Sequence, residues 1–285
     1  MKKRIGYHMS LAGGYKKQLN NASKIGAETI QIFSGNPTSW QPPKLDKDIA
    51  KKFKEVQRSN SIWPLIFHTP YLINLASPKP DIFDKSVSLL KASLKRAELF
   101  DSPYVITHIG SHLGVGKEKG INNICKALLN LKKDWPEDTK LLLENTVGSG
   151  NNIGSTFVEI REIFNRVDNL VLDHLGFCFD TAHAFGAGYD LSTTEGVDRT
   201  IDELKDNIDL NMLKVIHAND TPEHKGSKKD RHEDLTKGNI GEDGFIYLLN
   251  KDEFSEVDSI ILETPKRNEN PDKENLDCLK KILGR

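Results

Sequence analysis

Cysteine is scarce in this chain. Only three of the 285 residues are cysteines, Cys125, Cys178 and Cys278, and they are widely separated in sequence. This number and spacing exclude a disulfide framework and a zinc site built from thiolates. Such scarcity suits a reducing compartment, so we expect a cytoplasmic protein.

Long hydrophobic runs and an excess of charge of one sign are also missing. The opening stretch MKKRIGYHMS turns polar before the apolar core of a signal peptide could form. No apolar run approaches the roughly 18 residues of a membrane span, so we expect a soluble protein without a membrane partner. The formal net charge is −1. A nucleic-acid partner would therefore require the basic residues to gather on one face.

Short apolar runs alternate with amphipathic stretches rich in lysine and glutamate along the chain. The predicted strands are RIGYH (4–8), ETIQIF (28–33), PLIFH (64–68), YVITH (104–108), KLLLE (140–144), GFCFD (176–180), LKVIH (213–217) and SIILE (259–263). Most are apolar nearly throughout, as parallel strands covered on both faces are. The alternation predicts an α/β fold, a single (β/α)8 TIM barrel over residues 1–285. A doubly wound open sheet is the alternative, but it would not need eight evenly spaced units.

Local signals mark some helix starts and one long connection. Asp46 and Ser155 are predicted N-caps, because short polar side chains satisfy the free backbone N–H groups of a first turn. The connection at about residues 219–241 is rich in charge, histidine and glycine. A loop of that length inside a compact domain is usually functional.

Ionisable residues end six successive predicted strands. They are His68, His108, Glu144, Asp180, His217 and Glu263. In a barrel these ends converge on the C-terminal face, where active sites lie. Carboxylates and imidazoles crowded around one axis repel one another and lose hydration unless cations bind among them. Nitrogen and oxygen donors without thiolate suit zinc, manganese or iron.

Further candidate ligands lie in loops. His183 follows Asp180 by three residues, and Asp230 and His232 flank Arg231 in the long loop. Three such ligands make a site with an open coordination position, which is typical of catalytic metals. Any one strand-end histidine, taken alone, is more often a hydrogen-bonded loop residue. The remaining histidines are expected to be structural or supporting, with His8, at the end of the first strand, the one most expected to matter.

Several long motifs resemble the endonuclease IV family, the zinc-dependent apurinic/apyrimidinic endonucleases of DNA repair. They are GYHMSLAGG, HTPYLINLA, THIGSHLG, LLENTVGSGNNIG, CFDTAHAFGAGYDL, HAND, DRHEDLTKGNIG and ILETP. The resemblance implies a TIM barrel that holds three zinc ions, with manganese possible at one site. It assigns His68, His108 and Glu144 to the first ion. It assigns Glu144, Asp180, His217 and Glu263 to the second, and His183, Asp230 and His232 to the third.

The resemblance also implies a reaction and a partner. The expected enzyme is a monomeric phosphodiesterase that cleaves 5′ to an abasic site in duplex DNA, leaving a 3′-hydroxyl and a 5′-deoxyribose phosphate. Glu144 and Glu263 are the expected catalytic residues. Tyr71 and Leu72 match a loop that fills the gap left by a flipped abasic nucleotide, and Arg231 is expected to contact DNA.

Two other functions fit parts of the pattern. A sugar isomerase or epimerase of the same barrel superfamily would use Glu144, Asp180, His217 and Glu263 for a single divalent ion, but it would leave the other ligands without a purpose. A metal-stabilised DNA-binding module without turnover would not need open coordination positions. One departure from the endonuclease IV pattern concerns DNA contact, because Thr38 stands where the family often has arginine.

Overall fold

The computed structural model describes residues 3–267 and 270–285. Its strands are β1 Arg4–His8, β2 Thr29–Phe33, β3 Leu65–His68, β4 Tyr104–His108, β5 Lys140–Glu144, β6 Leu175–Asp180, β7 Leu213–His217 and β8 Ser259–Leu262. All pair in parallel and in sequence order, and β1 also pairs with β8, which closes the barrel. The predicted TIM barrel is confirmed. β8 ends one residue before Glu263, so that residue starts a loop.

The helices lie between the strands. They are α1 Tyr15–Lys24, α2 Lys47–Ser59, α3 Pro80–Leu99, α4 Lys117–Asn130, α5 Phe157–Arg166, α6 Asn169–Leu172, α7 Thr181–Ala187, α8 Thr194–Asn207, α9 Gly241–Leu249 and α10 Pro271–Ile282. Asp46 caps α2 as predicted, accepting a hydrogen bond from Ile49 N at 2.9 Å. The Ser155 prediction is wrong by one residue, because Thr156 caps α5 and accepts from Glu159 N.

Two apolar layers support the barrel. The larger one packs the outward faces of the strands against the helices. The smaller one fills the barrel interior with Ile66, Tyr104, Ile106, Leu142, Cys178, Val215 and Ile261. Burial on both faces explains why the strands are apolar nearly throughout. Within residues 3–267 and 270–285, no helix is both long and apolar enough to cross a membrane.

The long connection between β7 and α9 is fixed to the barrel by a buried carboxylate. Asp220 accepts hydrogen bonds from Gly238 N at 2.9 Å and Ile240 N at 3.0 Å. Gly238 passes so close to Asp220 and Thr221 that a Cβ would clash with their oxygens. The segment that carries Asp230 and His232 is therefore held at both of its ends.

Candidate metal centre

The strand register brings the predicted ligands together. His108 pairs with Glu144 across β4 and β5, and Asp180 pairs with His217 across β6 and β7. Two groups of donor atoms, each within 4.8 Å of one another, match the predicted sets: His68, His108 and Glu144, and Glu144, Asp180, His217 and Glu263. Glu144 belongs to both groups. We call the nine predicted ligands the donor ring.

Glu144 lies at the centre of the donor ring and is fully buried. Its Oε2 is 3.1 Å from His68 Nε2 and 3.5 Å from His108 Nε2. Its Oε1 is 3.0 Å from His217 Nδ1 and 3.5 Å from His183 Nδ1. The two oxygens thus face different imidazoles, as a carboxylate shared between two cations would.

A third group of proposed ligands lies beside the first two and consists of His183, Asp230 and His232. Asp230 Oδ1 is 3.3 Å from His183 Nε2 and 3.4 Å from His232 Nε2. Asp180, His183 and His232 also have donor atoms within 4.8 Å of one another. Asp230 is half exposed, so this side of the donor ring faces solvent.

The sequence CFDTAH shapes the junction between β6 and α7. Asp180 ends the strand and caps the helix, because its Oδ1 accepts a hydrogen bond from His183 N at 2.7 Å. The helix therefore starts at the next residue and turns His183 back over the barrel mouth. The Asp180 carboxylate can thus position His183 through one oxygen while its other oxygen stays in the donor ring.

Backbone carbonyls orient several of the imidazoles. The Nδ1 atoms of His68, His183 and His232 lie 2.8, 2.9 and 3.0 Å from the carbonyl oxygens of Thr69, Asn145 and Glu263. A carbonyl accepts only, so each Nδ1 carries a proton and each Nε2 is the ring nitrogen left to face the carboxylates of the donor ring. His232 Nε2 is buried and has no hydrogen-bond partner among the residues that the structure describes. An orphaned lone pair beside a carboxylate is what a cation site requires.

Neighbouring charges outweigh the effect of burial on the pKa of His183 and of Glu144. Burial alone would lower the pKa of His183, but Asp180 and Asp230 outweigh it and raise that pKa to about 10. Burial would likewise raise the pKa of Glu144, but His108 and His217 hold it well below its ordinary value. The centre thus keeps its carboxylates ionised and available to a cation.

Three amide residues of the centre were missed from the sequence. Asn219 Nδ2 donates to Asp180 Oδ2 at 2.7 Å, and Asn219 Oδ1 accepts from Glu263 N at 2.8 Å. Asn145 accepts from Asp180 N at 2.7 Å. Gln31 is fully buried and contacts His217 and Glu263. The sequence signal was an amide one or two residues beyond a strand-end ligand, as for Asn145 and Asn219, or an amide inside an otherwise apolar strand, as for Gln31.

Three histidines outside the predicted ligand set have supporting or structural contacts. His8 Nδ1 lies 3.1 Å from Glu263 Oε1, so His8 supports a ligand. His112 accepts from Gly114 N and Gly116 N in the loop after β4. His174 stacks on Trp135.

The predicted DNA-contacting residues lie around the mouth of the barrel. The Tyr71 side chain is 64% exposed, so it is not a core residue. Its ring centroid is 5.1 Å from that of Phe33 and 6.3 Å from that of His68. Leu72 is partly exposed, and Arg231 is exposed with Nη1 donating to Asp230 O.

A buried, carboxylate-centred donor ring at the C-terminal end of a closed eight-strand barrel defines a metal-dependent TIM-barrel enzyme. The family model of the xylose isomerase-like TIM barrel matches residues 19–282. The chain is 50% identical to the probable endonuclease 4 of Natranaerobius thermophilus over 99% of this chain and 98% of that protein. It is 40% identical to the probable endonuclease 4 of Methanoculleus marisnigri over 98% of this chain and 99% of that protein.

Solved structures agree with these relatives. The crystal structure of endonuclease IV from Thermus thermophilus matches with a TM-score of 0.85 and 31% identity over 99% of each chain. This chain belongs to the endonuclease IV family. A D-tagatose 3-epimerase-like protein shares the fold, with a TM-score of 0.76 at 21% identity over 99% of this chain and 97% of that one.

Proposed function

We propose that this chain hydrolyses the phosphodiester bond 5′ to abasic sites in duplex DNA, leaving a 3′-hydroxyl and a 5′-deoxyribose phosphate for base excision repair. It acts as a monomeric cytoplasmic enzyme whose single barrel domain spans residues 1–285, of which 1, 2, 268 and 269 lie outside the described residues. The observation that carries the proposal is the sharing of Glu144 between two donor groups, with a third group beside them whose His183 Nδ1 lies 3.5 Å from Glu144 Oε1.

The donor ring suits three zinc ions, with manganese possible at one of them. His68, His108 and Glu144 would hold the first, and Glu144, Asp180, His217 and Glu263 the second. His183, Asp230 and His232 would hold the third. The orphaned Nε2 of His232 and the carbonyl-oriented imidazoles support this assignment. Bound divalent ions lower the pKa of water and neutralise charge on a leaving oxygen.

We assign the catalytic roles to Glu144 and Glu263. Glu144 belongs to two donor groups and would be shared by two cations. Glu263 Oε2 lies 3.5 Å from His217 Nδ1, and the Glu263 side chain is partly exposed. Burial raises the pKa of the Cys178 thiol to about 12, which makes it a poor nucleophile. Because water is the nucleophile in the proposed hydrolysis, the reaction needs no nucleophilic side chain and no covalent intermediate.

The surroundings of the donor ring support a DNA substrate. A cavity of about 740 Å³ beside His8 is lined by the cations Lys44, Arg96 and Lys266. Basic residues thus gather near the site in a chain whose net charge is −1, which suits a polyanionic backbone. Tyr71 and Leu72 would fill the gap left by the flipped nucleotide, and Arg231 would contact the phosphates. Thr38, which stands where the family often has arginine, donates its hydroxyl to Asn36 Oδ1.

The experiment uses a duplex with one tetrahydrofuran abasic analogue, which cannot undergo β-elimination. We expect incision on its 5′ side, giving an end that a DNA polymerase extends, and no incision of an undamaged matched duplex. A sugar isomerase would leave both duplexes intact and interconvert ketohexoses. A binding module would shift the abasic duplex in a gel without cutting it. Either of these results would refute the proposal.

A further inference from the structure

His217 faces the donor ring differently from the imidazoles that backbone carbonyls orient. Its Nδ1 is the nitrogen directed at the carboxylates, at 3.0 Å from Glu144 Oε1, 3.5 Å from Glu263 Oε2 and 3.7 Å from Asp180 Oδ2. Its Nε2 therefore points away from the donor ring and into the barrel interior, where His217 is fully buried. To bind a cation through Nδ1, this imidazole must carry its proton on Nε2, and that proton needs a buried acceptor.

Gln31 supplies the acceptor. It lies in β2 and is fully buried, and its Oε1 is 2.8 Å from His217 Nε2. Its Nε2 is 2.6 Å from Glu263 Oε1 and 2.9 Å from His8 Nδ1. An ionised carboxylate only accepts hydrogen bonds, so the amide nitrogen must face Glu263. This fixes the amide oxygen toward His217, and the facing imidazole nitrogen must then be the donor.

We infer that Gln31 is a positioning residue that selects the metal-binding tautomer of His217. The inference rests on the proposed metal site and adds a residue to it. Glu263 orients the Gln31 amide, and the amide then directs the His217 proton to Nε2. The lone pair of Nδ1 is left facing Glu144, Asp180 and Glu263. One glutamine thereby couples two ligands of the second ion across the barrel.

The test is the zinc affinity of Gln31→Leu. This change puts an apolar side chain of similar size in place of the amide and so removes both the acceptor and the donor. We expect one of the zinc equivalents to bind about 10- to 100-fold more weakly, the usual effect of losing a ligand's hydrogen-bond partner. The measurement is competition against a chromophoric chelator, with melting as the check on folding. Gln57→Leu is the matched control, because Gln57 is also buried but lies on α2. Its affinities should equal those of the wild type.

A second measurement needs no variant. Imidazole nitrogen NMR of the zinc-loaded wild type should show His217 bound through Nδ1 and protonated on Nε2, with His183 showing the reverse. His217 bound through Nε2, or unchanged zinc affinity in folded Gln31→Leu, would overturn the inference. The proposed function fails separately, if the wild type does not cut the abasic duplex.

Discussion

Glu144 lies within 3.5 Å of four imidazoles, those of His68, His108, His183 and His217. Glu144→Gln keeps the shape of this side chain but removes its charge. We expect the rate of abasic-site incision to fall at least about 10³-fold, because metal activation of water is worth several kcal/mol. Single-turnover incision of the abasic duplex measures the loss.

The matched control is Glu159→Gln. Glu159 is also buried, but it accepts from Gly154 N and Ser155 N at the start of α5 and is not a proposed ligand. Its replacement should leave incision unchanged. Near-normal incision by Glu144→Gln would remove the central catalytic assignment.

Tyr71 and Leu72 offer a second prediction. Filling the gap left by a flipped nucleotide offsets an unstacking cost that duplex DNA has and a flexible single strand largely lacks. The double change Tyr71→Ala, Leu72→Ala should slow incision of duplex abasic sites by about 10- to 100-fold, or about 1.4–2.7 kcal/mol. Zinc content and Tm should barely change.

Leu170→Ala is the control for this pair, because Leu170 is 63% exposed on α6, which precedes β6 and so lies at the opposite end of the barrel. That change should not affect incision. A sharp fall in Tm with unchanged activity per folded molecule would show that Tyr71 and Leu72 are structural instead.

The convergence of the proposed strand-end ligands could be predicted from the sequence, because each of them ends an apolar run. His68, Asp180 and His217 are polar residues that a buried strand would not otherwise carry. The roles of Gln31 and Asn219 could not be predicted. An amide in or just beyond an apolar strand is a local signal, but the partners Glu263 and Asp180 lie on other elements and only the fold identifies them.

At the scale of elements, the loop between β7 and α9 gives the third prediction. Asp220→Ala leaves the N–H groups of Gly238 and Ile240 without their buried acceptor. We expect a loss of about 1–3 kcal/mol of unfolding free energy. The zinc held by Asp230 and His232 should exchange faster, because the loop that carries them loses its attachment. Urea unfolding and chelator competition measure the two effects.

Asp46→Ala is the comparison, because losing the N-cap of α2 costs a similar amount, about 0.5–2 kcal/mol, outside the loop that carries Asp230 and His232. Its zinc exchange should match the wild type. If Asp220→Ala lost stability and kept wild-type zinc exchange, the loop would not position these ligands.

Element boundaries could be predicted where a polar side chain marks them. Asp46 satisfies the first turn of α2 as predicted. The α5 cap was displaced from Ser155 to Thr156, because both residues can cap and the local hydrogen bonds of the Glu159 carboxylate to Gly154 N and Ser155 N select Thr156. The short helix α7 was missed because its apolar residues, buried throughout Thr181–Gly186, show no amphipathic period.

For the molecule as a whole, the sequence pattern was sufficient to predict barrel closure. Eight apolar runs with helices between them leave no exposed sheet edge when β1 pairs with β8. The same closure sets the strand ends in a ring, so the fold creates the crowding of Glu144, Asp180 and Glu263 that calls for cations. The number of ions does not follow from this crowding.

The most direct test of the account is therefore zinc reconstitution. Metal-free protein is titrated with zinc, and the rate of abasic-duplex incision is measured after each addition. We predict that the rate rises to a plateau at about three zinc equivalents per chain, as expected if three open sites act together. A plateau at one equivalent, or full incision by protein that elemental analysis shows to be free of metal, would contradict the account.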